Sequence, residues 1–231
     1  MFEIERSDNP GNTWNKQTRL EMGSQRMIWL ASYPRSGNTF YRICYELMYQ
    51  VRTFAPYTTN EGCKFPYEVD GDEPCVLVKT HNLEPVNTWP AVVIVRDGRA
   101  AVASWAHFSL ARMKQKTSYR DRLRDVIQDK DGWAAFHHHW LNRPNTNVIR
   151  FEQLIKDPAP TIQASADYAS LGMSPKTANL PEFQDLNKQD PDFFRGGDWR
   201  NDFDSELYDL FWENHGDVMT QLGYEYEPLY S

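Results

Sequence analysis

The sequence predicts an α/β protein with a central, mostly parallel sheet flanked by helices. Two observations carry that expectation. Short apolar runs at 27–32, 76–80 and 91–95 are bounded by polar turns, as strands buried on both faces of a parallel sheet are. Helical stripes alternate with those runs. Phe40, Ile43, Cys44, Leu47, Met48 and Val51 fall at i, i+3, i+4, i+7, i+8 and i+11, one apolar face. Such alternation builds βαβ units.

The elements follow in chain order. Residues 1–26 are polar and read as a flexible N-terminal segment, and 27–231 as one α/β domain. The first strand, 27–32, runs through a tight turn into the striped helix. Residues 52–74 are rich in turn formers and read as loop with some helix. The second strand, 76–80, ends at His81. The third, 91–95, is a continuous apolar run that suits the middle of a sheet. Asp97 or Gly98 opens a helix to about Leu110. The charged stretch 111–131 reads as a surface helix or a mobile lid. A short aromatic, His-rich helix covers 132–141, and a fourth strand covers 147–151. A helix entered through two prolines covers 159–171. Residues 172–200 read as a long irregular loop. A terminal helix covers 205–222, with a break at Gly216.

Composition bounds the function. A chain of 231 residues with 40% hydrophobic and 25% charged residues can bury a sizeable core. The net charge of −7 lacks the basic footprint of a nucleic-acid binder, so an anionic ligand needs a locally basic pocket. Cys44, Cys63 and Cys75 form no C-x-x-C pair, which argues against a disulfide framework or structural zinc and fits a reducing, cytoplasmic setting. The N-terminus has no apolar signal core, and no stretch approaches the length of a membrane span.

The chemistry gathers at four places. In Tyr33-Pro34-Arg35-Ser36-Gly37-Asn38-Thr39-Phe40, backbone N–H groups at a helix start favour an anion. Gly37 lets the backbone come close, Ser36 and Thr39 offer hydroxyls, and Arg35 offers a planar fork for phosphate or sulfate oxygens. The same run also reads as an ordinary strand–turn–helix junction capped by Ser36 or Asn38. It is not a Walker A sequence, because the cation precedes the glycine. Lys79 and His81, two apart on a strand, face one side. Lys79 suits an anion and His81 the proton of a bound hydroxyl; the plainer reading is a surface pair at a strand end. Arg96 leaves the third strand and Ser104 follows eight residues later, a pair able to grip a second phosphate. A metal-dependent reading uses Asp97 on Mg²⁺ instead, and the plainest is a capped helix with a solvated arginine. Finally, Phe193-Phe194-Arg195-Gly196-Gly197-Asp198-Trp199-Arg200-Asn201 is a cationic loop able to close over phosphate, or a turn around a buried Trp199. His137, His138 and His139 point about 100° apart on a helix and cannot all ligate one ion, so no metal is expected.

These four pieces, in this order, resemble the sulfotransferase family that uses 3′-phosphoadenosine 5′-phosphosulfate, over roughly 27–224. YPRSGNTF is similar to that family's 5′-phosphosulfate loop, KTH to its catalytic strand end, Arg96 and Ser104 to its 3′-phosphate pair, and GDWRNDF to its C-terminal cofactor loop. The resemblance implies a three-layer, P-loop-like fold. It implies that Arg35, Ser36, Gly37, Asn38, Thr39 and Phe40 surround the phosphosulfate and part of the adenosine. Arg96 and Ser104, joined by Arg195 and Gly196, would hold the 3′-phosphate. His81 would be the general base, with Lys79 and Arg35 as cations on the transferring group. Phe151 stands where the family often has a tyrosine near the adenine. The chain departs from the family pattern in five respects. Arg35 replaces the commoner lysine, Phe40 replaces the commoner tryptophan, the loop before GDW is shortened, the C-terminal dimer segment is shortened after Phe203, and the chain is shorter than most animal cytosolic members.

The activity so implied is in-line transfer of a sulfuryl group to a hydroxyl of a small-molecule acceptor, with an amine as the lesser alternative. A histidine titrating near neutral pH suits the base. No nucleic-acid or membrane partner is expected. Two rivals stand beside it: a P-loop kinase using Mg-ATP, and a non-catalytic nucleotide-binding protein.

Overall fold

The structure is a computed structural model that describes residues 2–4, 18–20, 26–51, 53–54, 75–83, 89–169 and 171–229. Near the N-terminus, β1 (Phe2–Ile4) and β2 (Thr18–Leu20) pair antiparallel. A second sheet contains β3 (Arg26–Ser32), β4 (Thr53–Phe54), β5 (Cys75–Thr80), β6 (Ala91–Val95) and β7 (Thr146–Arg150). Its order is β4-β5-β3-β6-β7, and every neighbouring pair is parallel. The helices are α1 (Asn38–Tyr49), α2 (Gly98–Ala111), α3 (Tyr119–Ile127) and α4 (Trp133–Leu141), then α5 (Phe151–Lys156), α6 (Pro158–Tyr168), α7 (Phe183–Gln189) and α8 (Ser205–Gln221).

Side-chain alternation along the strands splits the core into two layers. Ala31, Ala91, Val93 and Val95 face one cluster with Trp133, Phe136, Trp140 and Phe211, from α4 and α8. Ile28, Leu30, Val92 and Ile94 face the other, with Phe40, Tyr41, Leu154 and Ile162, from α1, α5 and α6. Helices on both faces of a parallel sheet make the expected three layers. After β3 the chain builds β4 and then β5 on one side of it, and crosses to β6 on the other. Ligands bind at such a switch point, outside the C-terminal ends of the strands.

The structure amends or sharpens the sequence expectation at several stretches: 1–26 holds β1 and β2, and Phe151 opens α5 rather than ending the fourth strand. The helix over 205–221 runs unbroken through Gly216, because Leu207, Phe211, His215, Val218 and Met219 pin one face to the core. The charged stretch 111–131 contains α3. Ser118 caps it by accepting from the Asp121 N–H at 3.1 Å, and Leu123, Val126 and Ile127 are buried. The 172–200 loop contains α7 and a 3₁₀ turn at Trp199–Asp202. Within 52–74, Thr53–Phe54 form β4, and 52 and 55–74, with Cys63, lie outside the described residues. Among the described residues no helix is long and apolar enough to cross a membrane.

Candidate functional site

The loop after β3 is held open by its backbone. Gly37 takes the N-cap position of α1 with φ 93°, and Arg35 also lies in the left-handed region at φ 68°. A Cβ on Gly37 would sit 2.4 Å from Cδ2 of Phe151, so both conformation and space require glycine. Neither Ser36 nor Asn38 caps the helix. Asn38 instead turns back, and its Nδ2 donates to the Leu30 carbonyl at 3.1 Å and Ser32 Oγ at 3.2 Å. The first-turn N–H groups of α1 thus have no side-chain cap, the arrangement that receives an anion. Ser36 is fully buried and its Oγ has no hydrogen-bond partner among the described residues. A buried hydroxyl without a partner is costly, and a bound oxyanion would satisfy it.

Two arginines meet beside this loop. Nη1 of Arg96 donates to the Arg35 carbonyl at 2.7 Å, and its guanidinium lies 4.5 Å over the Phe151 ring. Arg35 donates through Nε to Ser104 Oγ at 3.3 Å and through Nη2 to the carbonyls of Phe193 and Asp192. Its guanidinium lies 4.6 Å from the Phe108 ring and 5.0 Å from the Phe193 ring, two rings that meet edge-on. Burial, followed by the neighbouring Arg96, lowers the Arg35 pKa to about 10. Burial also lowers that of Arg96 to about 10, with Arg195 adding to the shift and Glu152 opposing it. Both shifts describe positive charge held against its preference, which an arriving anion relieves.

Lys79 is buried at the end of β5, and His81 follows it. His81 Nδ1 lies 2.7 Å from the Ser32 carbonyl. A carbonyl only accepts, so Nδ1 carries the proton and Nε2 keeps a lone pair. Burial, then Lys79, lowers the His81 pKa to about 3, which corrects the near-neutral titration expected from sequence. The first cause is tertiary, since folding takes the ring out of water; the second, the buried Lys79 ammonium, stands only two residues before it.

These groups share one cavity of about 490 Å³. Arg35, Lys79, His81, Arg96 and Arg195 form its basic wall, and Gly37, Asn38 and Thr39 its loop wall. Phe40, Phe151, Phe183 and Phe194 line it, as do Trp105, Phe108, Met113 and Phe193. Three of the predicted residues stand outside that lining. Ser104 is buried behind Arg35, Ser36 beneath the loop, and Gly196 has no atom within 4 Å of where a Cβ would be. Arg195 lines the cavity with its Nη2 on Asp202, 3.1 and 3.0 Å from the two carboxylate oxygens.

The structure also brings in residues that sequence reading missed. Phe183 packs edge-on against Phe40, Phe151 and Phe194. Its only sequence signal is an isolated ring in a polar stretch. Asp97 accepts from the Arg99 N–H at 2.9 Å, and both its oxygens are bound by the Arg99 guanidinium. It is therefore spent on capping α2 rather than turned to the cavity. His137 is buried with Nδ1 2.7 Å from the Trp133 carbonyl, while His138 and His139 are exposed. Among the described residues no group of three or more His, Cys, Asp or Glu could hold a metal ion.

No protein-family model and no curated protein matches the sequence. The fold is shared with solved structures. Mouse sulfotransferase SULT7A1 complexed with PAP matches at a TM-score of 0.64 and 17% identity, over 87% of this chain and 89% of that one. Retinol dehydratase in complex with androsterone and inactive cofactor PAP matches at 0.59 and 17%, over 87% and 82%. A sulfotransferase from Alicyclobacillus acidocaldarius matches at 0.52 and 13%, over 87% and 97%. At these identities the likeness establishes the fold.

Proposed function

We propose that the protein is a sulfotransferase that uses 3′-phosphoadenosine 5′-phosphosulfate and sulfates a hydroxyl of a small molecule. The observation that carries the reading is the pair of half-buried Arg35 and buried Arg96 beside an uncapped helix start and an unpartnered Ser36 hydroxyl. That is a site built for an oxyanion, on a fold whose solved examples include two bound to PAP.

The residues fit the donor. The Gly37–Thr39 backbone, Ser36 and Arg35 would hold the 5′-phosphosulfate, and Arg96 with Arg195 the 3′-phosphate. Ser104 acts through Arg35, whose Nε donates to its hydroxyl. Phe40, Phe151 and Phe183 give an aromatic wall for the adenine. When bound, the donor supplies an activated sulfuryl group on an anionic leaving nucleotide.

The chain's own part is proton handling and charge. His81 takes the acceptor's hydroxyl proton on Nε2, while Nδ1–H stays on the Ser32 carbonyl and fixes ring and tautomer. Such bases contribute about 10²–10⁴-fold. Arg35 and Lys79 meet the charge that develops on the transferring group, in a cavity whose rings exclude water. Burial and Lys79 keep His81 neutral and so able to accept a proton, and the negative charge of a bound donor would raise its basicity toward the range a general base needs. A hydroxyl fits this better than an amine, because a protonated amine would enter a wall of cations. The kinase reading loses support from Asp97, whose oxygens are held by Arg99.

The test is transfer of ³⁵S from labelled donor to a panel of phenols and alcohols in the presence of EDTA. Labelled product, absent with His81→Ala, supports the reading. Phosphoryl transfer from ATP that requires Mg²⁺, with no sulfur transfer, overturns it.

A further inference from the structure

Asp202 is the least exposed carboxylate near the cavity, and it does not line it. Its side chain is 6% exposed and carries four hydrogen bonds. Oδ1 accepts from Nε2 of His107 at 2.7 Å, from the Tyr119 hydroxyl at 3.0 Å and from Nη2 of Arg195 at 3.1 Å. Oδ2 accepts from the same Arg195 nitrogen at 3.0 Å. The His107 and Tyr119 rings stack with centroids 4.1 Å apart, so α2 and α3 present their two donors together. Asp202 itself comes from the 3₁₀ turn after the paired glycines, anchored by the buried Trp199.

Arg195 needs such a fixture. It follows Phe193 and Phe194 and precedes Gly196 and Gly197, neither of which has a neighbour within 4 Å of a would-be Cβ. Gly197 has φ 122°. The backbone before them is held at the carbonyls of Phe193 and Phe194, by Arg35 and Asn187, while the side chain of Arg195 is restrained through Asp202. Its carbonyl in turn lies 3.5 Å from Nη2 of Arg96, the cation bound to the phosphosulfate loop through the Arg35 carbonyl.

We propose that Asp202 is a positioning residue for recognition of the donor's 3′-phosphate. It holds Arg195 against the cavity, and His107 and Tyr119 orient its carboxylate, so that α2 and α3 set the donor's affinity without touching it. The inference rests on the reading of the cavity as a site for a 3′-phosphorylated adenosine nucleotide. A residue that only stabilised the fold would weaken every nucleotide alike, whereas this one acts on a single phosphate.

The experiment is calorimetric titration of the purified chain with adenosine 3′,5′-bisphosphate and with adenosine 5′-monophosphate, which lacks the 3′-phosphate. Asp202→Asn keeps the size and removes the charge. It is expected to weaken the bisphosphate about tenfold, the scale on which partners of a ligand-holding group act, and to leave the monophosphate unchanged. In an Arg195→Ala background it should change neither, since the two residues act as one unit. His107→Ala, at a side chain 39% exposed, tests the same point with little risk to folding and should weaken only the bisphosphate. Equal loss for both nucleotides, or no loss in either variant, overturns the positioning role. If the wild type discriminates between the two nucleotides not at all, the reading of the cavity falls, and this role with it.

Discussion

Replacing Gly37 with alanine puts a methyl group where the Phe151 ring already sits. The new Cβ would lie 2.4 Å from Cδ2 and 2.9 Å from Cε2. Carbon atoms pack at about 3.5–4.0 Å, so the ring must give up roughly 1 Å. It has little room, being 5% exposed and edge-on to Phe183 at 5.3 Å. Forcing extra carbon into such a site costs about 1–3 kcal/mol. The left-handed backbone, at φ 93°, adds about 1–2 kcal/mol for any residue with a Cβ. The sum is about 2–5 kcal/mol, or a fall in Tm of roughly 4–20 °C for a domain of this size. Urea unfolding of Gly37→Ala, Phe151→Ala and the double variant separates the two causes. With the ring gone, Gly37→Ala should retain only the backbone cost, a coupling of about 1–3 kcal/mol. An equal cost in both backgrounds would refute the argument that the loop is shaped around Phe151.

Three further outcomes follow from the same contacts. His81→Ala should lower kcat by about 10²–10⁴-fold in single-turnover assays with unchanged affinity for adenosine 3′,5′-bisphosphate; near-normal turnover would remove the imidazole from the reaction. Arg96→Ala should weaken the bisphosphate roughly 10–100-fold by calorimetry, the loss of charge-assisted contacts worth about 1.5–3 kcal/mol, while the acceptor KM holds. Stability should also fall in acid. Burial lowers the pKa of His137 and of His215 to about 4 each, so below pH 6.5 the unfolded chain binds protons that the folded one refuses. Stability is therefore flat above pH 6.5 and lost as pH drops toward 4, by about 1.4 kcal/mol per pH unit for each ring. His137→Gln should remove one ring's share of that slope in urea titrations at pH 7, 6 and 5.

The parts legible in sequence are those that local pattern decides. Ala91–Val95 forms the strand that its run describes, because five apolar residues between Pro90 and Arg96 have only a buried sheet to go to. The stripe from Phe40 to Met48 is legible only in part: Phe40, Cys44 and Met48 are buried on α1, but Ile43 is half-buried, Leu47 is 39% exposed, and Tyr41 and Tyr45 complete the buried face. The loop residues Arg35, Gly37, Asn38 and Thr39 line one cavity with Lys79, His81, Arg96 and Arg195, so the four motifs do converge. What stayed hidden depends on partners distant in sequence. Asp202 meets His107 across 95 positions and Tyr119 across 83, and nothing local marks that meeting. The depressed His81 pKa comes first from burial, which no local pattern marks, although its second cause, Lys79, is only two residues away. Gly216 looked like a helix breaker, yet the contacts of its neighbours Phe211, His215 and Met219 outweigh a cost of about 1 kcal/mol for glycine in a helix. Asn38 looked like a cap, and its amide serves the strand behind it instead.

The most direct test of the account is a calorimetric comparison of adenosine 3′,5′-bisphosphate, adenosine 5′-monophosphate and ATP, each with EDTA and with Mg²⁺. The cluster of Arg35, Arg96 and Arg195 predicts that the bisphosphate binds tightest and is indifferent to the metal. Binding only of Mg·ATP, or equal affinity for all three nucleotides, would contradict it.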